Sequence, residues 1–276
     1  MMTTSANPNQ ALWEKGDFTR IAASMRKSGE ALVRSAGIER GMAVLDLGCG
    51  DGTTALPAAH LGANVLGVDI ARNLVDAGNQ RAKAEGLANL RFQQGDACNL
   101  SAIENGTFDR VVSIFGAMFA PKPMDVAREM VRVTKHGGRI TMGNWIPGDP
   151  TLVAQILKIS SAYTPPPPEG FISPMTWGVE ANVVQRFGAA GVPRENIECK
   201  PDTYTFEFDG TPAQFVAEFR RYYGPTMNAF DAAERNGKAE TLREELETLF
   251  ARCNTSTDPA KTSIPATFLR VTVRVP

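Results

Sequence analysis

The sequence of 276 residues predicts an α/β fold built on a doubly wound, mostly parallel sheet, and three observations carry that prediction. Val44–Thr53, VLDLGCGDGT, reads as a strand, a glycine turn and the start of a helix. A second apolar run, Ala63–Asp69, ends in a carboxylate about 20 residues after the turn, the spacing of a nucleoside-binding unit. Strand-like and helix-like segments then alternate along the chain, the order that gives a parallel sheet with helices on both faces.

The elements follow in turn. Apolar residues at helical spacing, Leu12, Ile21, Ala22, Met25, Leu32 and Val33, predict a helical cap over residues 1–40, ahead of the first strand at Ala43–Leu47. A helix over Thr53–His60, a strand over Asn64–Val68 and a helix over Asn73–Glu85 come next. Strands beginning at Leu90 and Phe108, and a glycine turn leading into a fifth strand within Val133–Met142, complete a half spanning 41–146. Residues 147–177 read as a lid insertion, with a helix over Leu152–Ser161 and a stiff Pro165–Pro168 run that favours extended backbone. A helix over Val179–Ala190 and a strand over Tyr204–Phe208 return to the sheet. A second insertion, 211–260, carries two amphipathic helices within Thr211–Arg252, and Thr267–Val275 alternates as the last strand. The whole chain, 1–276, reads as one domain.

Composition narrows the function. A formal charge of −1 and a pI near 6.2 leave no electrostatic footprint for a polyanion, so nucleic acid is not an expected partner. The start lacks a basic segment followed by an apolar one, and no apolar run approaches the roughly 20 residues that cross a bilayer, so a cytoplasmic protein without a membrane span is expected. The four cysteines show no C-x-x-C spacing, which argues against a zinc knuckle or a disulfide framework. No metal is expected, since Ser113–Pro121, where the fourth strand exits, holds no carboxylate. His60 and His136 both fall at the amino-terminal edge of the sheet, away from the end where such folds bind ligands.

Gly48, Gly50 and Gly52 permit a sharp bend and a ligand lying against the main chain, and Asp69 is spaced to accept both hydroxyls of a ribose. The turn reads Asp-x-Gly-x-Gly-x-Gly rather than G-x-G-x-x-G, so the pyrophosphate fingerprint of dinucleotide enzymes is absent. With Asp46 two positions before the first glycine, the Gly-Asp-Ala turn at 95–97, the strand Phe108–Gly116 and the Gly137-Gly138 turn, the chain resembles class I S-adenosylmethionine-dependent methyltransferases. Within that class it is similar to bacterial small-molecule enzymes such as the ubiquinone and menaquinone C-methyltransferases. Ser113–Pro121, Pro165–Pro168 and Ser173–Gly178 also look like a large bacterial subgroup of mostly unassigned substrates.

The resemblance implies a seven-stranded Rossmann-like sheet and methyl transfer from S-adenosylmethionine, with S-adenosylhomocysteine as product. It assigns to the cofactor Asp46, Gly48, Cys49, Gly50, Asp69, Ile70, Asp96, Ala97, Ser113 and Phe115, with Asp96 and the Ala97 N–H at the adenine. Cys49 is read as a small residue packed under the turn, without chemistry of its own. The acceptor is expected to be a small molecule, aromatic or prenylated, held by Met118, Phe119, Asn144, Trp145, Trp177, Arg220, Tyr222 and Tyr223, although packing of the insertion helices also accounts for these aromatics. No catalytic residue is assigned; a base, if the reaction needs one, is Asp, Glu, Tyr or water in the cap. The other function kept open is an S-adenosylmethionine-binding sensor or inactive partner, separable by turnover. A monomer or homodimer is expected.

Overall fold

Seven strands form one sheet in the order β3-β2-β1-β4-β5-β7-β6. A computed structural model describes residues 8–276, so the first seven residues of the expected cap lie outside the described residues. The strands are β1 (Ala43–Leu47), β2 (Asn64–Asp69), β3 (Leu90–Gln94), β4 (Phe108–Ile114), β5 (Thr134–Trp145), β6 (Ile197–Phe208) and β7 (Thr262–Arg274). β1 to β5 pair in parallel, and β7 runs antiparallel between β5 and β6. The parallel strands are covered on both faces, which is why β1 and β2 read as nearly continuous apolar runs. Successive residues serve different clusters: Val44 packs with Val65 and Val112, whereas Leu45 packs with Leu47, Val68 and Val111.

The cap is not one helical run. It comprises α1 (Pro8–Glu14), α2 (Phe18–Ala22) and α3 (Arg26–Ser35), with a break at Gly16, where a methyl group would lie 2.2 Å from the carbonyl oxygen of Tyr222. Helices α4 (Ala55–His60), α5 (Arg72–Ala84), α6 (Pro123–Val133), α7 (Leu152–Ser161) and α8 (Glu180–Ala189) follow, with a 3-10 turn at Pro174–Gly178. The second insertion holds three helices rather than two: α9 (Pro212–Tyr222), α10 (Gly224–Arg235) and α11 (Ala239–Cys253). Gly224 and Pro225 start a new helix directly after Tyr223, because proline at the first turn lacks only an N–H that would be unsatisfied there. β6 begins seven residues earlier than the alternation around Tyr204 indicates, since its pairing with β7 runs unbroken from Ile197 to Phe208.

Two turns meet at the carboxyl ends of β1 and β4. Gly48 has φ 69°, and a methyl group on it would lie 2.6 Å from the Cα of Gly116. The contact is backbone on backbone, and a side chain on either glycine would separate the two turns.

Candidate active site

The cleft at the carboxyl ends of the strands is built on that crossing. It has an empty volume of about 930 Å³, counting its open mouth, and its floor is the 47–54 turn. Gly50, at φ 54°, is the open point of the floor: nothing lies closer to a methyl group placed on it than Phe18, at 3.9 Å. Gly52 is different, because a methyl there would meet Leu56 at 2.3 Å and Phe92 at 2.7 Å, so this glycine serves helix and strand packing.

Asp69 ends β2 on the cleft wall, where its carboxylate accepts the N–H of Gly50 at 2.8 Å and of Ala71 at 2.9 Å. It thus pins the glycine turn to the second strand. A carboxylate has about four acceptor positions, which leaves capacity for hydroxyl donors. Burial raises its pKa and the backbone N–H groups oppose that shift. Ile70, Asp96 and Ala97 line the same wall. Asp96 also accepts the N–H of Cys98 at 2.8 Å, closing its turn.

Asp46 and Ser113 do not line the cleft. Asp46 is buried behind Thr54, whose hydroxyl donates to Oδ2, and Oδ1 has no hydrogen-bond partner among the described residues. Burial pushes its pKa from the ordinary 3.8 to about 7; the Thr54 hydrogen bond opposes the rise and the charge of Asp69 adds to it. Ser113 donates to the carbonyl of Leu47 at 2.6 Å and accepts the N–H of Ala117 at 2.9 Å, so its hydroxyl ties β4 to the turn instead of facing a ligand. Cys49 does line the cleft, but it is buried and burial raises its pKa well above the ordinary value, which keeps it a neutral thiol.

The cleft opens into a smaller chamber through Trp13, Phe18, Met25, Phe115 and Phe119, which line both. Its remaining wall includes Trp145, Phe206, Phe219 and Tyr223, with Val153, Ile156 and Leu157 of α7. Tyr223 is the only ionisable side chain in that lining among the described residues, and burial raises its pKa. Phe115 stands at the junction, where its ring meets the edge of Tyr204 at 5.0 Å. Tyr204 in turn donates from its hydroxyl to the carbonyl of Met25 at 2.8 Å, fastening the cap to β6.

Several residues expected at the acceptor lie elsewhere. Met118 is buried in the core. Asn144 is fully buried, and by strand alternation it faces away from Trp145. Trp177 is buried in the 3-10 turn beneath the guanidinium of Arg186, 4.4 Å from its ring. Arg220 pairs with Glu234 at 2.9 Å and covers Phe230, while Tyr222 stacks with Arg20 and Arg221 outside both compartments. Adjacent residues at a helix end point to different surfaces, which separates Tyr222 from Tyr223.

The roof comes from α1 and α2. Asn9 donates to the carbonyl of Phe119, and Trp13 meets the edge of Phe119 at 4.9 Å. Asp51, buried under the turn, receives Arg26 at 3.0 Å and Arg81 at 3.3 Å, which ties the cap to α5. Sequence reading missed Asn9, Trp13, Phe18 and Tyr204 as pocket residues. The aromatics were visible as apolar positions, but their destination depends on contacts more than a hundred residues away along the chain.

This fold and site define a class I S-adenosylmethionine-dependent methyltransferase, and the chain belongs to that family. A model described as a methyltransferase domain matches residues 44–138. The uncharacterized protein Rv1403c of Mycobacterium tuberculosis is 33% identical over 230 residues, 82% of this chain and 80% of that protein. A demethylmenaquinone methyltransferase from Geobacillus is 36% identical over 114 residues, 40% of this chain and 48% of that one. Among solved structures, the YcgJ protein from Bacillus subtilis superposes with a TM-score of 0.57 at 19% identity, over 91% of this chain and 99% of that chain. The enzyme is a methyltransferase, and no helix among the described residues is long and apolar enough to cross a membrane.

Proposed function

We propose that the enzyme methylates a small, apolar, aromatic or prenylated acceptor held in the inner chamber, with S-adenosylmethionine in the outer cleft. The observation that carries this reading is the junction: one set of rings walls both a cleft that holds the carboxylates of Asp69 and Asp96 and a chamber that shows no charged side chain among the described residues. The open position at Gly50 and the spare acceptor capacity of Asp69 fit a nucleoside bearing a methionine chain. Asp69 would hold the ribose, Asp96 and the N–H of Ala97 the adenine, and the turn at Gly50 the methionine end. S-adenosylmethionine supplies an electrophilic methyl group on a sulfonium.

The chain's own part is placement. Phe115 and Phe119 present ring faces and edges at the junction, where they exclude water and face a cation favourably. The chamber fixes the acceptor in line with the junction, and orientation of this kind is worth roughly 7 to 11 kcal/mol. Among the described residues Tyr223 is the ionisable group that faces the acceptor in the chamber. Release of S-adenosylhomocysteine, measured over a panel of prenylated phenols, unsubstituted phenols, amino acids and peptides, tests the assignment. Turnover of the apolar ring compounds is expected, and turnover confined to the charged acceptors would overturn it.

A further inference from the structure

We propose a second ligand site, for a small soluble molecule bearing a phosphate or pyrophosphate group, at the opposite end of β5. There the sheet face is open as a polar cleft with an empty volume of about 1530 Å³, counting its open mouth, walled by Ser35 and Ala36 at the end of α3 and by residues 194–200. Strand register sets its chemistry. Arg139 is the register partner of Arg110 on β4 and of Arg274 on β7, so three arginines stand in one row across adjacent strands. Lys200 and Arg270, register partners on β6 and β7, continue the positive face.

Like charges directly opposite each other destabilise a strand pair, so an all-arginine row persists at a cost unless something answers it. The repulsion is already felt at Arg110, whose pKa is lowered by burial first and by the charge of Arg139 next. The carboxylates nearby are mostly engaged with other cations: Glu198 with Lys200, Asp202 with Arg270 at 3.4 Å, Glu180 with Arg194 at 2.5 Å. Glu195 also lines the cleft, and Glu39 attracts Arg110. Arg139 and Arg274 form no ion pair among the described residues. Glu198, paired with Lys200, also feels the charges of Arg270 and Arg139, but it forms no ion pair with Arg139 or Arg274, and two adjacent guanidinium forks match the several oxygens of a phosphate better than a single negative charge. The walls formed by the end of α3 and by residues 194–200 suit a small ligand better than a flat bilayer.

This site is independent of the methyl-transfer cleft. Arg139 and Trp145 lie on the same sheet face, but the offset of six residues between them corresponds to about 20 Å of strand. Occupancy of one therefore need not alter the other.

Inorganic pyrophosphate at constant ionic strength, followed by calorimetry and thermal melting, is the test. Saturable binding to the wild type is expected, weakened at least tenfold in R139Q and in R274Q and unchanged in R128Q, a surface arginine on α6. S-adenosylhomocysteine affinity should stay within twofold of wild type in all three, which also reports that they are folded. R139K, which keeps the charge and loses the fork, should bind at an intermediate level. A response equal to that of sodium chloride at the same ionic strength, or pyrophosphate binding unchanged in the R139Q/R274Q double variant, would mean a merely solvated sheet face and overturn the proposal. Recognition of phosphate only on lipid vesicles would overturn it as well.

Discussion

Phe115 lies face to face on Trp145, with ring centroids 3.7 Å apart and planes 8° from parallel, while its own backbone is held at φ 59°. It is the one non-glycine residue with positive φ among the described residues. That conformation costs a non-glycine residue energy, of order 1–3 kcal/mol, and persists only where surroundings hold it. Trp145 is a principal part of those surroundings, with Tyr204 and Phe268 closing on the ring edge. Trp145→Ala is expected to destabilise the protein by about 3–5 kcal/mol, the usual loss for a large buried aromatic, with denaturant unfolding as the measurement. If Phe115 is held mainly by Gly116 and the crossing below it, the loss will fall near the value for an ordinary exposed ring.

Gly50→Val places a branched side chain in the open floor of the cleft. Because φ is 54° there, the variant should lose about 1–3 kcal/mol of stability from backbone strain alone. Binding of S-adenosylhomocysteine should vanish in calorimetry while the melting curve remains cooperative. Retained affinity in the folded variant would place the ligand elsewhere.

Asp69→Ala removes the acceptor for two backbone N–H groups as well as the proposed ribose contact. A loss of about 1.5 to 3 kcal/mol in cofactor affinity is expected, roughly tenfold to more than a hundredfold in Kd. Unchanged affinity in a folded variant would remove Asp69 from the ligand.

Tyr223 and Tyr222 should part company. Tyr223→Ala opens the inner chamber, so the acceptor KM should rise or kcat fall with S-adenosylhomocysteine affinity nearly intact. Tyr222→Ala removes only a surface ring between Arg20 and Arg221, and its kinetics should match wild type. Equal defects in both would show that the effect travels through the cap rather than through the chamber.

The buried Asp46 gives the protein a pH dependence of known sign. Its folded pKa, about 7, lies above the ordinary 3.8, so between those values the folded state binds more protons than the unfolded one. Its contribution to stability is therefore fullest below about pH 4, declines as pH rises and levels off once pH passes 7, a total on the order of 4 kcal/mol. Asp69, also raised, acts in the same direction. Thermal melts of the protein without cofactor should fall between pH 5 and 8, and Asp46→Asn should flatten that slope. A slope unaltered in the variant would assign the dependence to other groups.

Much of the fold was legible because its signals are local. The apolar runs of β1 and β2, the Asp-x-Gly-x-Gly-x-Gly turn and the clean alternation of β7 each need only a few residues to read. Helix α6 was legible too, in the spacing of Val126, Ala127, Met130 and Val133, but was not read. Most of β6 was hidden: Lys200, Pro201 and Asp202 interrupt the apolar alternation, and only the partner strand supplies the register. Of the motif residues, Gly50, Asp69 and Asp96 line the outer cleft, whereas Ser113 sits at the end of β4 with its hydroxyl spent on the backbone. The chamber was the hardest to foresee. Trp145 and Tyr223 stood among the residues expected at the acceptor, but Trp13 and Phe18 come from the opposite end of the chain and no periodicity marks them as chamber residues.

Trp13 stands in the wall of both compartments, so their occupancies become a single coupled equilibrium if an occupant of the outer cleft restricts the indole. That restriction would then no longer be charged against a molecule arriving in the inner chamber. Thermodynamic linkage requires the benefit to run equally in reverse: the factor by which an acceptor tightens the nucleoside must equal the factor by which the nucleoside tightens the acceptor. An affinity quoted for either one alone would then describe half of a cycle, in which Phe18, Phe115 and Phe119 share the indole's place between the two compartments.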